Sequence, residues 1–254
     1  YRRAMSLHTR EVSALDRRGV VWGLVGVAVT LAVTFVGSDG LLWFDAALIG
    51  YLFGIIFMVF GVVYRYSVWM RRPSTAMLNR RGWDAFRQRK VRNAAALPSL
   101  VATQLLTQGF IRRRSRSRWL AHQLVFWGSI LAGLVTFPLT MGLLHFESVG
   151  QQGDRYRVFI SRVGAMNFDA DGVVGWTIYH ALDIAAVLVL AGVFIFLRRR
   201  LRDPGALAVE RSGDFLALAG LFAVSVTGLF LTVSSLWLEG RFYAALNTLH
   251  ALTV

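Results

Sequence analysis

The stretch VVGWTIYHALDIAAVLVLAGVFIFLRRR, Val173 to Arg200, decides the fold class. It is apolar from Val173 to Leu197 apart from His180 and Asp183, and it closes on three consecutive arginines, Arg198, Arg199 and Arg200. About 20 apolar residues cross a bilayer as a helix, and arginines mark the helix end that stays on the cytoplasmic side. A soluble helix of this length would need a polar stripe, and this one has none.

Four further runs qualify on either side of it: Val20–Val36, Leu41–Tyr64, Leu120–Leu144 and Phe215–Leu238. A sixth begins near Phe242 and meets Val254 before it is long enough to cross. The expectation is an all-α integral membrane protein, a bundle of six transmembrane helices with the sixth truncated. Residues 1–64 form an N-terminal helical hairpin, 65–118 a basic cytoplasmic loop, and 119–254 a four-helix transmembrane domain. Both ends read as trimmed, since the chain opens on Tyr1 and stops inside an apolar run, and no cleavable signal peptide is visible.

Composition agrees. Hydrophobic residues make up 56 % of the 254 and charged residues only 17 %, well below the quarter usual in soluble domains. The net charge of +14 comes from 28 basic residues: 5 before the first run, 14 between the second and third, 5 between the fourth and fifth, and 4 in the remaining loops. That asymmetry predicts a multi-pass plasma-membrane protein with a cytoplasmic N-terminus, the 65–118 and 198–212 loops inside, and 37–40, 145–172 and 239–241 outside. It also accounts for the charge without nucleic acid. The absence of cysteine excludes disulfides, thiolate-held iron–sulfur clusters and thioether-attached haem within this chain.

Two loops carry more than a connection. Leu97, Leu100, Val101, Leu105 and Phe110 recur at helical spacing between Arg92 and Arg112, which predicts an amphipathic helix at the cytoplasmic membrane surface, either a simple anchor or a platform for another subunit. Residues 146–172 mix arginines with carboxylates and read as a short lid over the outer helix ends. Trp43, Trp69, Trp119, Trp127, Trp176 and Trp237 fall mostly at helix ends, where they form an interfacial belt.

Ionisable groups inside a membrane are costly and mark functional positions by default. Counted inward at 1.5 Å per residue, His180 lies about 10 Å and His250 about 12 Å from the outer face. Two histidines at matched depth on different helices suit bis-histidine ligation of a haem; the alternative is that each hydrogen-bonds a neighbouring helix. His122 sits roughly 5 Å in from the cytoplasmic side, and its partner on the sixth helix would fall past Val254. Asp183, three residues after His180, shares its helix face and could orient the histidine, exchange protons with quinone, or simply bond a neighbour. His145 closes the third run at the outer surface, either as a solvated helix end or as a second proton-exchange group. Gly128, Gly133, Gly142, Gly220 and Gly228 let helices approach closely.

The segment Gln108-Gly109-Phe110-Ile111 through Arg112-Arg113-Arg114, Trp119-Leu120-Ala121-His122 and Phe126-Trp127-Gly128 resembles a known element. It is similar to the start of the first haem-bearing helix in the respiratory nitrate reductase gamma subunit and heterodisulfide reductase membrane subunit group. Thr136-Phe137-Pro138, Tyr179-His180-Ala181-Leu182-Asp183 and Leu249-His250-Ala251 resemble an actinobacterial branch often labelled as transporters. The likeness covers roughly 105–254, with one departure: ten residues after His122, where that group has a second histidine, stands Ala132.

The resemblance implies a quinone-linked di-haem cytochrome b membrane subunit of a respiratory oxidoreductase. Its haems b would be held by His122 near the inner face and by His180 with His250 near the outer one. Menaquinone or ubiquinone would be the substrate, with Asp183 and His145 as proton groups. The implied partners are an iron–sulfur subunit and a catalytic subunit, of molybdopterin or hydrogenase type, on the cytoplasmic side. Two rivals remain at this level, a secondary, major-facilitator-like transporter and a haem-free anchor. The sequence shows neither the repeats nor the midplane helix breaks that a transporter would have.

Overall fold

A computed structural model describes residues 16–149, 155–202 and 212–253. Five of its helical segments are long and apolar enough to cross a membrane: Arg17–Gly37, Ala46–Met70, Arg116–Thr140, Ala181–Arg202 and Phe215–Trp237. The protein is therefore a mostly helical, multi-pass membrane protein. It exposes 18658 Å², where a compact soluble monomer of 28.3 kDa exposes about 11,000 Å². Phe53, Phe57, Phe194, Leu216 and Trp237 are among the exposed apolar side chains, as expected where lipid is the solvent.

In chain order the helices are α1 (Arg17–Gly37), α2 (Ile49–Met70, led in by a 3₁₀ turn at Ala46–Leu48), α3 (Pro73–Gln88), α4 (Lys90–Leu100), α5 (Gly109–Arg114), α6 (Arg116–Thr140), α7 (Val173–Tyr179), α8 (Ala181–Arg202), α9 (Ser212–Trp237) and α10 (Tyr243–Thr253). Helices α2, α6, α8, α9 and α10 each pack on the next and close back on α2, and α1 lies against α2. The described part of α10 has 11 residues and closes that ring.

Small residues set the closest approaches. A Cβ on Gly23 would meet the Phe60 ring at 2.7 Å and one on Gly19 the Tyr64 ring at 2.9 Å, so α1 rests directly on α2. Gly128 of α6 faces the Ala185 carbonyl and Gly192 of α8 faces the Ala121 carbonyl, each 2.8 Å from a would-be Cβ. These two positions draw α6 and α8 together until their backbones nearly touch. The start of α1 is capped by Asp16, whose Oδ1 accepts from Gly19 N at 2.9 Å and from the Arg71 guanidinium at 2.8 Å.

Three sequence expectations need correction. The helix expected to reach Leu144 ends at Thr140, because Gly142 takes φ +67° and lets Leu143 N donate back to the Pro138 carbonyl, a Schellman-type stop. The lid is then a β-meander, β1 (Leu144–Ser148), β2 (Arg155–Ile160) and β3 (Val163–Asp169), paired antiparallel in that order. It sits on the α1–α2 turn: Arg162 pairs with Asp39, and Gly37 contacts Leu143.

The second correction concerns residues 97–110, which are not one helix. Pro98 lies inside α4, the backbone widens into a π-helical turn at Val101–Leu106, and Gln108 turns left-handed at φ 48° before α5. Proline removes a backbone donor and clashes with the preceding turn, and a π turn is a common local response. The third is the span expected from Val173, which bends at His180 into α7 and α8. His180 has φ −97° and ψ 7°, although its amide still donates to the Trp176 carbonyl.

Candidate functional site

The bend places His180 at the head of α8, beside the carboxylate one turn on. Its Nδ1 lies 2.8 Å from Asp183 Oδ2, where Nδ1–H donates. The other carboxylate oxygen, Oδ1, accepts from Thr232 Oγ1 of α9 at 2.7 Å. Asp183 is thus held from both sides, by its own helix and by the next. Trp176 packs on the imidazole with ring centroids 4.9 Å apart. Trp176, His180, Asp183, Ile184, Val187 and Leu188 line a shallow, open groove of about 270 Å³.

His250 occupies a second seam, where α10 meets α9. Its Nδ1 lies 2.8 Å from Thr227 Oγ1. The Thr227 hydroxyl also lies 2.8 Å from the Ala223 carbonyl; when it donates there, its oxygen accepts from Nδ1–H of His250. The ring lies on Gly228, where an added Cβ would come within 3.3 Å, and against Tyr51 of α2 at 5.8 Å between centroids. Both histidines therefore engage a neighbour through Nδ1, His180 as the donor to a carboxylate, and among the described residues neither Nε2 has a hydrogen-bond partner. A hydrogen-bonded Nδ1–H fixes the tautomer and orientation of a metal-binding imidazole.

Chemically these donors fit haem ligation one histidine at a time. Their anchors on α9 are offset: Thr227 and Thr232 are five residues apart, about 7.5 Å along the axis and about 140° around it. The structure brings each histidine to its own seam of α9, and no matched depth follows from these anchors. Among the described residues no three histidine or carboxylate side chains gather as a metal-ion cluster.

His122 lies one residue past the buried Ala121, on α6, and is exposed, with no hydrogen bond or ion pair among the described residues. His145 is not a helix end. It sits on β1 with its ring between Trp43 (4.2 Å, 6° from parallel) and Phe159 (5.0 Å, 3°), and with Glu147 Oε1 3.9 Å from Nε2. Its ring nitrogens make no hydrogen bond, and it does not line the His180 groove. Sequence reasoning missed Thr227 and Thr232. The only signal was a threonine in an otherwise apolar helix, and threonines there commonly bond their own backbone, as Thr30 and Thr34 do.

Comparison with known proteins adds no identification: no family model, no curated protein and no solved structure matches this chain.

Proposed function

We propose that this chain is the quinone-linked cytochrome b membrane subunit of a respiratory oxidoreductase, in the plasma membrane with its N-terminus and arginine-rich ends in the cytoplasm. The observation that carries the proposal is that His180 and His250 are both held through Nδ1. Two histidines in separate seams of an apolar bundle each bond a neighbour through Nδ1 and leave Nε2 without a partner among the described residues, the arrangement an iron ligand needs.

Haem b would supply one-electron transfer across the membrane. The chain's own groups do the rest. Asp183 orients His180 and, held by Thr232, can pass a proton between the His180 ring and a quinone in the outer groove. Tyr51 and Gly228 fix the plane of the His250 ring. His122, at the arginine-rich end, is the ligand candidate nearest the iron–sulfur partner. A crossing by α10 and a partner ligand for His122 are part of this proposal.

A reduced-minus-oxidised optical spectrum of the purified chain tests it. A b-type band is expected, and His180→Ala and His250→Ala should each abolish a haem signal. The offset anchors favour loss of different haems, whereas loss of the same one would restore the pairing read from depth. No b-type band in a fully folded preparation would sink the proposal and leave a haem-free anchor.

A further inference from the structure

Helix α3 (Pro73–Gln88) has no part in the proposed haem site. It begins at Pro73, three residues after the spanning helix α2 ends at Met70. An extended residue reaches at most about 3.6 Å, so the start of α3 stays within roughly 11 Å of the membrane end of α2. Tyr66 and Trp69, rings 6.1 Å apart, mark that end with the aromatics typical of an interface.

At about 100° per residue, Leu78, Phe86 and Trp83 fall within an arc of about 140° that also holds Thr75, Asn79 and Gly82, and Arg87, Arg80, Asp84, Gln88 and Arg81 fill the opposite arc with Pro73 and Met77. Leu78 is 64 % and Trp83 56 % exposed and Phe86 is half-buried, so the described residues leave most of the apolar side uncovered. Trp83 and Phe86 stand edge to face at 6.0 Å, making one aromatic ridge. The Asn93 amide donates to the carbonyls of Ala85 and Phe86 at 3.1 and 3.3 Å, which ties the end of α3 to α4. Around it, residues 65–118 hold 14 basic residues and a single acid, Asp84.

We propose that α3 lies in the membrane plane and recognises anionic phospholipid headgroups. Leu78, Trp83 and Phe86 enter the boundary between headgroups and acyl chains, and Arg80, Arg81 and Arg87 reach sideways to the phosphates. A low overall hydrophobicity, an arginine-rich polar side and a Leu/Trp/Phe side define such helices. Lipid rather than protein is the occupant because a helix held this close to the end of a spanning segment meets headgroups first, and its charge matches theirs. The α3 ridge adds to the exposed apolar residues Leu97, Leu100, Leu105 and Phe110 of the same basic segment.

The chain has no cysteine, so Leu78→Cys and Arg81→Cys each give the full-length protein a single nitroxide label without background. Each is placed in nanodiscs of phosphatidylcholine alone and of phosphatidylcholine with phosphatidylglycerol. In the anionic discs the label at 78 should be reached by oxygen in preference to a water-soluble nickel chelate, and the label at 81 the reverse. Adding Arg80→Gln, Arg81→Gln and Arg87→Gln to Leu78→Cys should weaken the surface association about fivefold per arginine and about a hundredfold together, returning the label to water. A label at 78 equally open to the nickel chelate in both lipids would overturn the proposal. So would insertion that ignores phosphatidylglycerol or survives loss of the three arginines.

Discussion

Gly192→Ala probes the seam that holds the histidine-bearing helix in place. The new methyl would sit 2.6 Å from Val125 Cγ2, 2.8 Å from the Ala121 carbonyl oxygen and 3.0 Å from Val125 N, where ordinary contact begins near 3.4 Å. Side-chain rotation can relieve the first contact but not the two to backbone, so α6 and α8 must part by roughly 0.6 Å. A gap of that size forfeits about a quarter of the dispersion energy along the seam, and overpacking of this kind costs about 1–3 kcal/mol. Replacing a helical glycine by alanine returns up to about 1 kcal/mol in water. It returns less here, because helices persist in the membrane-unfolded state. The net expectation is a loss of about 1–2 kcal/mol. Gly128→Ala, 2.8 Å from the Ala185 carbonyl oxygen, should cost a similar amount. The double variant should cost less than the sum, since one separation relieves both clashes. Gly61→Ala and Gly220→Ala, where a Cβ meets nothing within 4 Å, are the controls and should change stability by no more than about 0.5 kcal/mol. The assay is unfolding in mild-detergent micelles titrated with dodecyl sulfate and followed by tryptophan fluorescence. Gly192→Ala as stable as the controls, or strict additivity with Gly128→Ala, would refute the reasoning.

The Asp183–Thr232 bond should show as coupling in the same assay. In a cycle of Asp183→Asn and Thr232→Val, about 0.6–1.7 kcal/mol is expected, and a value near zero would mean that α9 does not hold the carboxylate. At the opposite membrane face, the Gly19 amide and then the Arg71 guanidinium hold the Asp16 carboxyl below its ordinary range. A depressed carboxylate stabilises fully above its unfolded value, about 3.9, and that contribution is lost as pH falls through the lower folded value. Wild type should therefore lose more stability than Asp16→Asn between about pH 6 and about pH 2. Parallel losses in the two would show that the Asp16 contacts contribute nothing to the join of α1 and α2.

Much of the architecture is legible in the residues because hydropathy is a local property. Each spanning run announces itself by length and by the arginines at its end, whatever it packs against, so five spans could be read from Val20–Val36, Leu41–Tyr64 and their successors, with ends displaced by up to the eight residues between Val173 and Ala181. His180, Asp183 and His250 stood out for the same reason, as polar groups in apolar runs. What tertiary structure alone decided depends on which residues meet. The β-meander needs Leu144 opposite Ile160 and Arg155 opposite Asp169, pairings between segments whose alternation is too irregular to announce a sheet. His145 looked like a helix end until Gly142 stopped α6 early and Trp43, a hundred residues away, supplied the ring it stacks on. Counting inward from helix ends put His180 and His250 at one depth. The bend at His180 and the bonds of Asp183 to Thr232 and of His250 to Thr227 tie them to positions of α9 about 7.5 Å apart, a relation that comes from the packing of neighbouring helices and not from the number of residues to a loop.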